Sequence, residues 1–450
     1  MNVYNVKDYG AEGDGLTDDT EAIQACVDAA IGGSVADAAT NTRLPLGQIY
    51  LPKGVYDISA PIKIYSTNGF VMFGDSSQQT ELRATTSMNS ILDINGSFRG
   101  YFHDLRMKAD NVTSITVDQP FWLYWDGGAN SLRSTSGVMV ERVHIQGIRY
   151  TNAGFRLGAN NNFQADDIAL YNCLAVGAFD VSETTYYQAG FKSDAASGNT
   201  LNHFFYSCGA SMNRRNWHAL TCQQWIFGAD AGHAEVDFYV SGDQQFSVTG
   251  WRSESSGRML EVTGGTSVTS QIALRDGQQG FKDNPAASRH PFASDGHMIK
   301  LGRSGPMLLE NVVVSSAGIA ADPTIQVDNA STGKYTQLTL LNCNISTAID
   351  NFIVVGQAAS ATSLLLLNHT IGADNTLAVN YTPFLHRNYS GAPGQPRFDA
   401  GIADLERLGA AKSGGGEYIR PRSFYHESTA AVGNGFLELT YFRATVSEAI

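Results

Sequence analysis

The chain has 450 residues, with 30 Lys and Arg against 43 Asp and Glu, a net charge of −13. An acidic surface of low charge density, 16% against about 25% in an average domain, repels phosphate backbones and anionic lipid heads and argues against nucleic acid as a partner. The longest apolar runs, Phe352 to Val355 and Leu364 to Leu367, fall far short of the roughly 20 residues that cross a bilayer, so no membrane insertion is expected.

Met1 to Gly10 is polar and has neither the cationic segment nor the apolar run of a signal peptide. Alternation from Val3 predicts a short strand. Gly10, Gly13 and Gly15 mark a turn, and Asp18 with Glu21 has the spacing of a helix capping box. Ala22, Ile23, Cys26, Val27, Ala30 and Ile31 recur on one helical face, which must lie on something apolar, like a lid. Asp14, Asp18 and Asp19 read as turn and cap acids. After a Gly/Ala/Thr/Asn-rich loop, Ile49 to Ser59 predicts two strands around a Pro52-Lys53-Gly54 turn, and Pro61 to Ile64 continues as a third.

The pairing of DYGAEGDGLTDDTEAIQACVDAA with IYLPKGVYDIS, within residues 3–64, resembles the pectate-lyase-like superfamily. The resemblance implies an all-β fold, a right-handed parallel β-helix whose N-terminal strand and helix cap one end of the solenoid. That superfamily holds polysaccharide lyases and hydrolases as well as bacteriophage tail spikes and tail fibres. The opening motif carries no catalytic residue, so it implies a fold and not an activity.

Beyond residue 64 the same unit recurs: an apolar alternation, two corner residues and a second alternation. It is seen at Phe102 to Met107, Val140 to Ile145, Ala165 to Leu170, Leu309 to Val314, Leu340 to Ile345 and Leu366 to Ile371. Apolar residues at 138, 140, 143 and 145 share a face only if the backbone bends between 140 and 143, which predicts a coil. The residues after the corners are spaced by 38, 25, 144, 31 and 26, the long gap holding further coils with weaker corners at Tyr206 to Cys208 and Val248 to Trp251. The second corner residue is Asp104, Arg142, Asp167, Asn311, Asn342 or Asn368, and Asn and Asp tolerate the left-handed conformation. The expected domains are a cap and loop at 1–48, the β-helix at 49–385, a Gly/Pro-rich linker at 386–416 and a short C-terminal β segment at 417–450.

His103, Glu141 and Asp166 share the first corner position, and this register places Glu141 and Asp166 one coil apart. Two carboxylates about 4.8 Å apart repel, which splits their pKa values and suits a glycan-cleaving acid and base or nucleophile. The opposing reading makes them solvated corner residues, neutralised by Arg142 or Arg106. Trp122, Tyr124, Trp125, Tyr186 and Tyr187 are candidate sugar-stacking rings, with subunit or loop packing as the alternative. Phe121, Trp217 and Trp225 belong to the same aromatic groups. No cofactor and no metal site is indicated: the acids lack ligand spacing, the Gly-rich stretches lack nucleotide motifs, and the five scattered cysteines read as reduced core residues.

The resemblance leaves two classes open. Without an export segment, the phage reading is preferred: a tail spike or tail fibre protein in the virion tail, assembled in the host cytoplasm. It implies a homotrimer that contacts other virion tail proteins and binds host cell-surface polysaccharide, with or without cleaving it. The alternatives are a free polysaccharide lyase or glycoside hydrolase, and a purely structural tail rod.

Overall fold

A computed structural model describes residues 2–371 except 33–35, 38–41, 128–134, 160–164, 178–184, 196–199, 243, 264–270, 281–296, 303–304, 316–323, 328–334, 347–352, 356–360 and 368–369, together with 412–413 and 416–417. The chain winds as a parallel β-helix whose successive rungs pair strand on strand. Each rung has three faces. The first runs through Gly47–Leu51, Met139–Gln146, Ile168–Tyr171 and Thr200–Tyr206 to Ala361–Leu367; the second through Gly54–Ile58, Leu174–Val176 and Gly209–Ser211 to Thr370–Ile371. The third runs from Ile62–Asn68 through Leu92–Phe98, Phe121–Tyr124 and Phe155–Ala159 to Ile353–Val355.

A single left-handed residue turns the chain from the first face to the second. In register these are Asp104, Arg142, Asn172, Ser207, Gly228, Gly250, Asp276, Asn311 and Asn342, with φ between 50° and 70°. Short polar side chains lower the cost of that conformation by bonding between rungs. Asn311 Nδ2 donates to Asp276 Oδ1 at 2.8 Å, and Asn342 Nδ2 to Asn311 Oδ1 at 3.2 Å. Asp167 belongs elsewhere. It is left-handed too, but at the corner from the third face back to the first, with Arg99, Gly137 and Asn202. Asn368 lies outside the described residues.

The residue after the left-handed one always points inward. Leu105, Val143, Val312 and Cys343 stand in that column as expected, but Cys173 occupies the rung assigned from sequence to Ile168. All five cysteines are buried and unbridged. The third face lines the core with rings: Phe121, Phe155, Phe191, Trp217 and Phe238 follow one another with centroids 5.0–5.6 Å apart. Phe121 and Trp217 are therefore packing residues of strands, not loop rings.

The N-terminal segment closes one end. Asn2–Asn5 pairs with the first strand of the first face, and Asp14–Asp18 with the first strand of the second. Helix α1, Thr20–Gly32, covers the remainder with Ile23, Cys26, Val27, Ala30 and Ile31 buried. Its Gln24 amide accepts from Lys63 N at 2.8 Å and donates to Lys63 O at 3.1 Å, satisfying the open edge of the third face as a neighbouring strand would. The start of α1 differs from a capping box. Asp18 Oδ1 accepts from Thr20 N at 3.1 Å, while Asp19 turns back to take the N–H groups of Glu12 and Gly13 at 2.6 and 3.1 Å. Of the expected linker and C-terminal segment, the structure describes only an antiparallel pair, Lys412–Ser413 with Gly416–Glu417. Among the described residues no helix is long and apolar enough to cross a membrane.

Candidate functional site

The acid couple expected at the corners is not assembled. His103 and Glu141 are in register on the first face, but Glu141 faces Tyr171 on the next strand, whereas Asp166 pairs with Ser136 at a different corner. The sequence pattern is similar at the two corners, and Ala165 to Leu170 holds the corner that precedes the one aligned with Glu141. Glu141 accepts from the Tyr101 phenol and from Arg142, and Arg142 also grips Asp104 at 2.6 and 2.8 Å. Burial raises the pKa of Asp104, but Arg142 and His103, the latter 2.7 Å away, outweigh it and hold the carboxyl below its usual range. Asp166 has its pKa raised by burial while Oδ1 accepts from Leu201 N at 2.8 Å. Each acid has a local structural partner. Further along the first face, Tyr171, Tyr206 and Phe227 stack with centroids 4.7 and 5.1 Å apart, ring on ring, leaving mainly edges for a ligand.

Of the expected sugar-stacking rings, Tyr187 is 1% exposed and packs edge-on against Tyr150 at 5.1 Å, so no ligand reaches it. Tyr186 is half-buried under the Arg149 guanidinium, 4.8 Å from its centroid. Trp122 and Tyr124 are brought together. Trp122 projects half-buried from the outer side of the third face and stacks at 3.8 Å on Tyr124, which is only 7% exposed, and Trp125 follows at the end of that strand.

Around this pair the third face carries a strip of polar side chains. The strand register aligns Lys63, Asp93, Trp122, Arg156, Lys192, His218, Tyr239 and Glu261 along the outside. Trp122 donates Nε1–H to Gly158 O at 3.1 Å, and Arg156 lies 5.2 Å from its ring. Asp194, 1% exposed, accepts at Oδ2 from Arg156 at 2.7 and 3.0 Å, with Lys192 Nζ at 3.3 Å. Burial lowers the Lys192 pKa against the opposing pull of Asp194. Burial, then Arg215 and Lys192, push His218 well below its ordinary value, which leaves it neutral at pH 7.

Asp93 is the other buried acid of the strip. Tyr65 donates to Oδ2 at 2.9 Å, and among the described residues Oδ1 has no hydrogen-bond partner. Burial raises its pKa, although the Tyr65 hydrogen bond, the nearby Tyr124 phenol and the Lys63 charge oppose the shift. A carboxyl biased towards its protonated form on an outer face can donate a proton. Asp93 and Asp194 are three strands and two residues apart, about 16 Å, beyond the 5–9.5 Å of a paired glycosidase mechanism. Asp194 serves instead to hold Arg156 and Lys192.

The strip escaped the corner-based reading, but a signal was present. Phe121-Trp-Leu-Tyr, Phe155-Arg-Leu-Gly, Phe191-Lys-Ser-Asp, Trp217-His-Ala-Leu and Phe238-Tyr-Val-Ser repeat one inward-outward alternation, and their second residues form the strip.

A parallel β-helix closed at one end by a strand and a helix defines the class: a pectate-lyase-like solenoid. The chain matches the family described as Rhamnogalacturonase A/epimerase, pectate lyase-like, over residues 3–282, more than half its length, and belongs to it. It is 35% identical over 95 residues to a glucan 1,3-beta-glucosidase of Cochliobolus carbonum, covering 21% of this chain and 11% of that protein. It is 52% identical over 58 residues to alginate lyase 7 of Azotobacter vinelandii, 12% of this chain and 5% of the relative. The chain thus spans only a small part of the length of these relatives. Among solved structures, the gp42 tailspike of Acinetobacter phage vb_AbaP_AS12 superposes with a TM-score of 0.52 at 10% identity, over 87% of this chain and 64% of that one. At that identity the likeness is one of fold.

Proposed function

We propose that the protein binds a polysaccharide along the outer third face, with Trp122, backed by the buried Tyr124, as the aromatic contact and Asp93 as the proton donor if the bound chain is cut. The observation that carries this reading is the strip itself: stacked rings, a buried carboxyl with one oxygen unpartnered, and fixed cations on successive strands. A repeating ligand suits a surface whose side chains recur at the strand spacing of about 4.8 Å. The names of the relatives, a glucosidase and an alginate lyase, support a polysaccharide ligand. The fold likeness to a tailspike supports the finer assignment, a phage tail protein that holds host cell-surface glycan, in a homotrimer beside other virion tail proteins.

Trp122→Ala is expected to weaken binding of host polysaccharide by about 30-fold, the loss typical of a central aromatic anchor. Trp225→Ala, a half-buried tryptophan on the outer first face, serves as the control and should leave binding unchanged. Equal loss in both variants would place the ligand elsewhere. Asp93→Asn decides between enzyme and adhesin. If the protein releases new reducing or unsaturated ends from the polysaccharide, that release should fall by at least about 100-fold in the variant while binding persists. Binding without product in the wild type selects the adhesin.

A further inference from the structure

Resting on the reading that the third face holds a glycan, we propose that Arg215, with Lys192 and His218 beside it, forms an anion subsite that selects chains bearing carboxylate or sulfate groups. The cations around it are already matched. Arg156 and Lys192 share Asp194 at 2.7 and 3.3 Å, Arg214 pairs with Glu235 at 2.9 Å, and Arg258 pairs with Glu261. Arg215 differs. Among the described residues no carboxylate lies within 4.0 Å of it, and its guanidinium carbon sits 3.7 Å from the centroid of the Tyr239 ring.

Stacking on a phenol covers one face of a guanidinium and leaves its in-plane N–H groups free, the edge that binds a carboxylate or sulfate in a bidentate fork. His218 meets the same Tyr239 ring edge-on at 4.9 Å and is in register with Lys192, so the two cations and a neutral imidazole that can donate one N–H converge on one patch. Arg215 is largely withdrawn from water, and burial disfavours its charged form. An unpaired, partly desolvated charge costs stability, and an anionic ligand group recovers that cost on binding. In a chain of net charge −13 such a group is not a means to solubility. It sits at the start of the strand that carries His218, two strands from Arg156 and three from Trp122, and its guanidinium reaches the strip over Tyr239, which places the anion of one sugar within a chain that also crosses Trp122.

The test measures binding of three probes by calorimetry: oligogalacturonate, the same oligomer with its carboxyls reduced to alcohols, and a sulfated glucan oligosaccharide. At least one charged probe should bind about 10- to 100-fold tighter than the reduced oligomer, as expected for a charged hydrogen-bonded pair, and that preference should shrink as salt is raised. Arg215→Gln should abolish the preference and leave binding of the reduced oligomer unchanged, while Arg215→Lys should keep part of it. The charged probe that responds separates carboxylate from sulfate. Salt dependence in the wild type provides a readout should Arg215→Gln fail to fold. Equal binding of charged and reduced probes, or a preference that survives Arg215→Gln, overturns the subsite and leaves the glycan reading standing. If none of the three probes binds, the subsite is overturned, and retention of whole host polysaccharide then decides the glycan reading by itself.

Discussion

Gly277→Val is expected to destabilise the protein by about 3 kcal/mol or more, and Trp251→Val in the same molecule to restore most of that loss. Residue 277 occupies the inward column after the left-handed corner, where other rungs carry Val143, Cys173, Cys208, Ala229, Val312 and Cys343. The neighbouring rung carries Trp251, 3% exposed and edge-on to Phe238 at 5.6 Å. Its indole extends over Gly277 so closely that a Cβ there would stand 2.0, 2.1 and 2.5 Å from three ring atoms. Valine is otherwise acceptable at this corner, as Val312 shows one rung later. The penalty is therefore steric and belongs to the pair. Urea unfolding of the two single variants and the double variant closes a double-mutant cycle, which should show coupling of about 2 kcal/mol or more. A Gly277→Val protein as stable as the wild type would mean that the two residues do not compete for one space.

The second large effect is a pH dependence located at one buried acid. Asp237 is fully buried, and desolvation raises its pKa from 3.8 to about 6, even though Asn216 at 2.9 Å, Ser256 at 2.7 Å and Ser253 all donate to it. The folded chain retains a proton that the unfolded chain releases between about pH 4 and pH 6. The sign is fixed by that difference: this group contributes most at low pH, and its contribution falls as pH rises through the interval, by about 3 kcal/mol in total. Asp237→Asn keeps an oxygen for Asn216 and Ser256 and turns its amide towards Ser253, whose hydroxyl accepts as readily as it donates. The variant should be close to wild-type stability near pH 4 and more stable by up to about 3 kcal/mol near pH 8. Urea midpoints of both proteins at the two pH values check this, and a gap that does not widen with pH contradicts it.

Much of the architecture was readable before any coordinate. Period-two alternation broken at Asp104, Arg142, Asn311 and Asn342 demands a bend in the chain, and the helix with Ile23, Cys26 and Val27 on one face demands an apolar surface to cover. Both follow from local stereochemistry and burial, which act within a few residues. The inter-rung register does not. Asp166-Asp167 and Tyr171-Asn172 both end in a left-handed residue, yet only the second aligns with Glu141-Arg142, and that choice cancelled the expected carboxylate couple.

The same limit separates Trp122 from Tyr187. Both are rings expected to stack on sugars, but one projects from the outer third face and the other is driven against Tyr150 inside. What the amino-acid sequence by itself determined was the family, the coil and its capping helix, because these rest on patterns carried by contiguous residues. Only the tertiary structure decided that Asp93, Trp122, Arg156, Lys192 and Arg215 share one surface. The number of residues in each turn varies, as the 38, 35 and 31 residues between successive bonded corner side chains illustrate. Which side chains become neighbours is therefore set by strand pairing summed over the whole stack, a long-range quantity that no local pattern encodes.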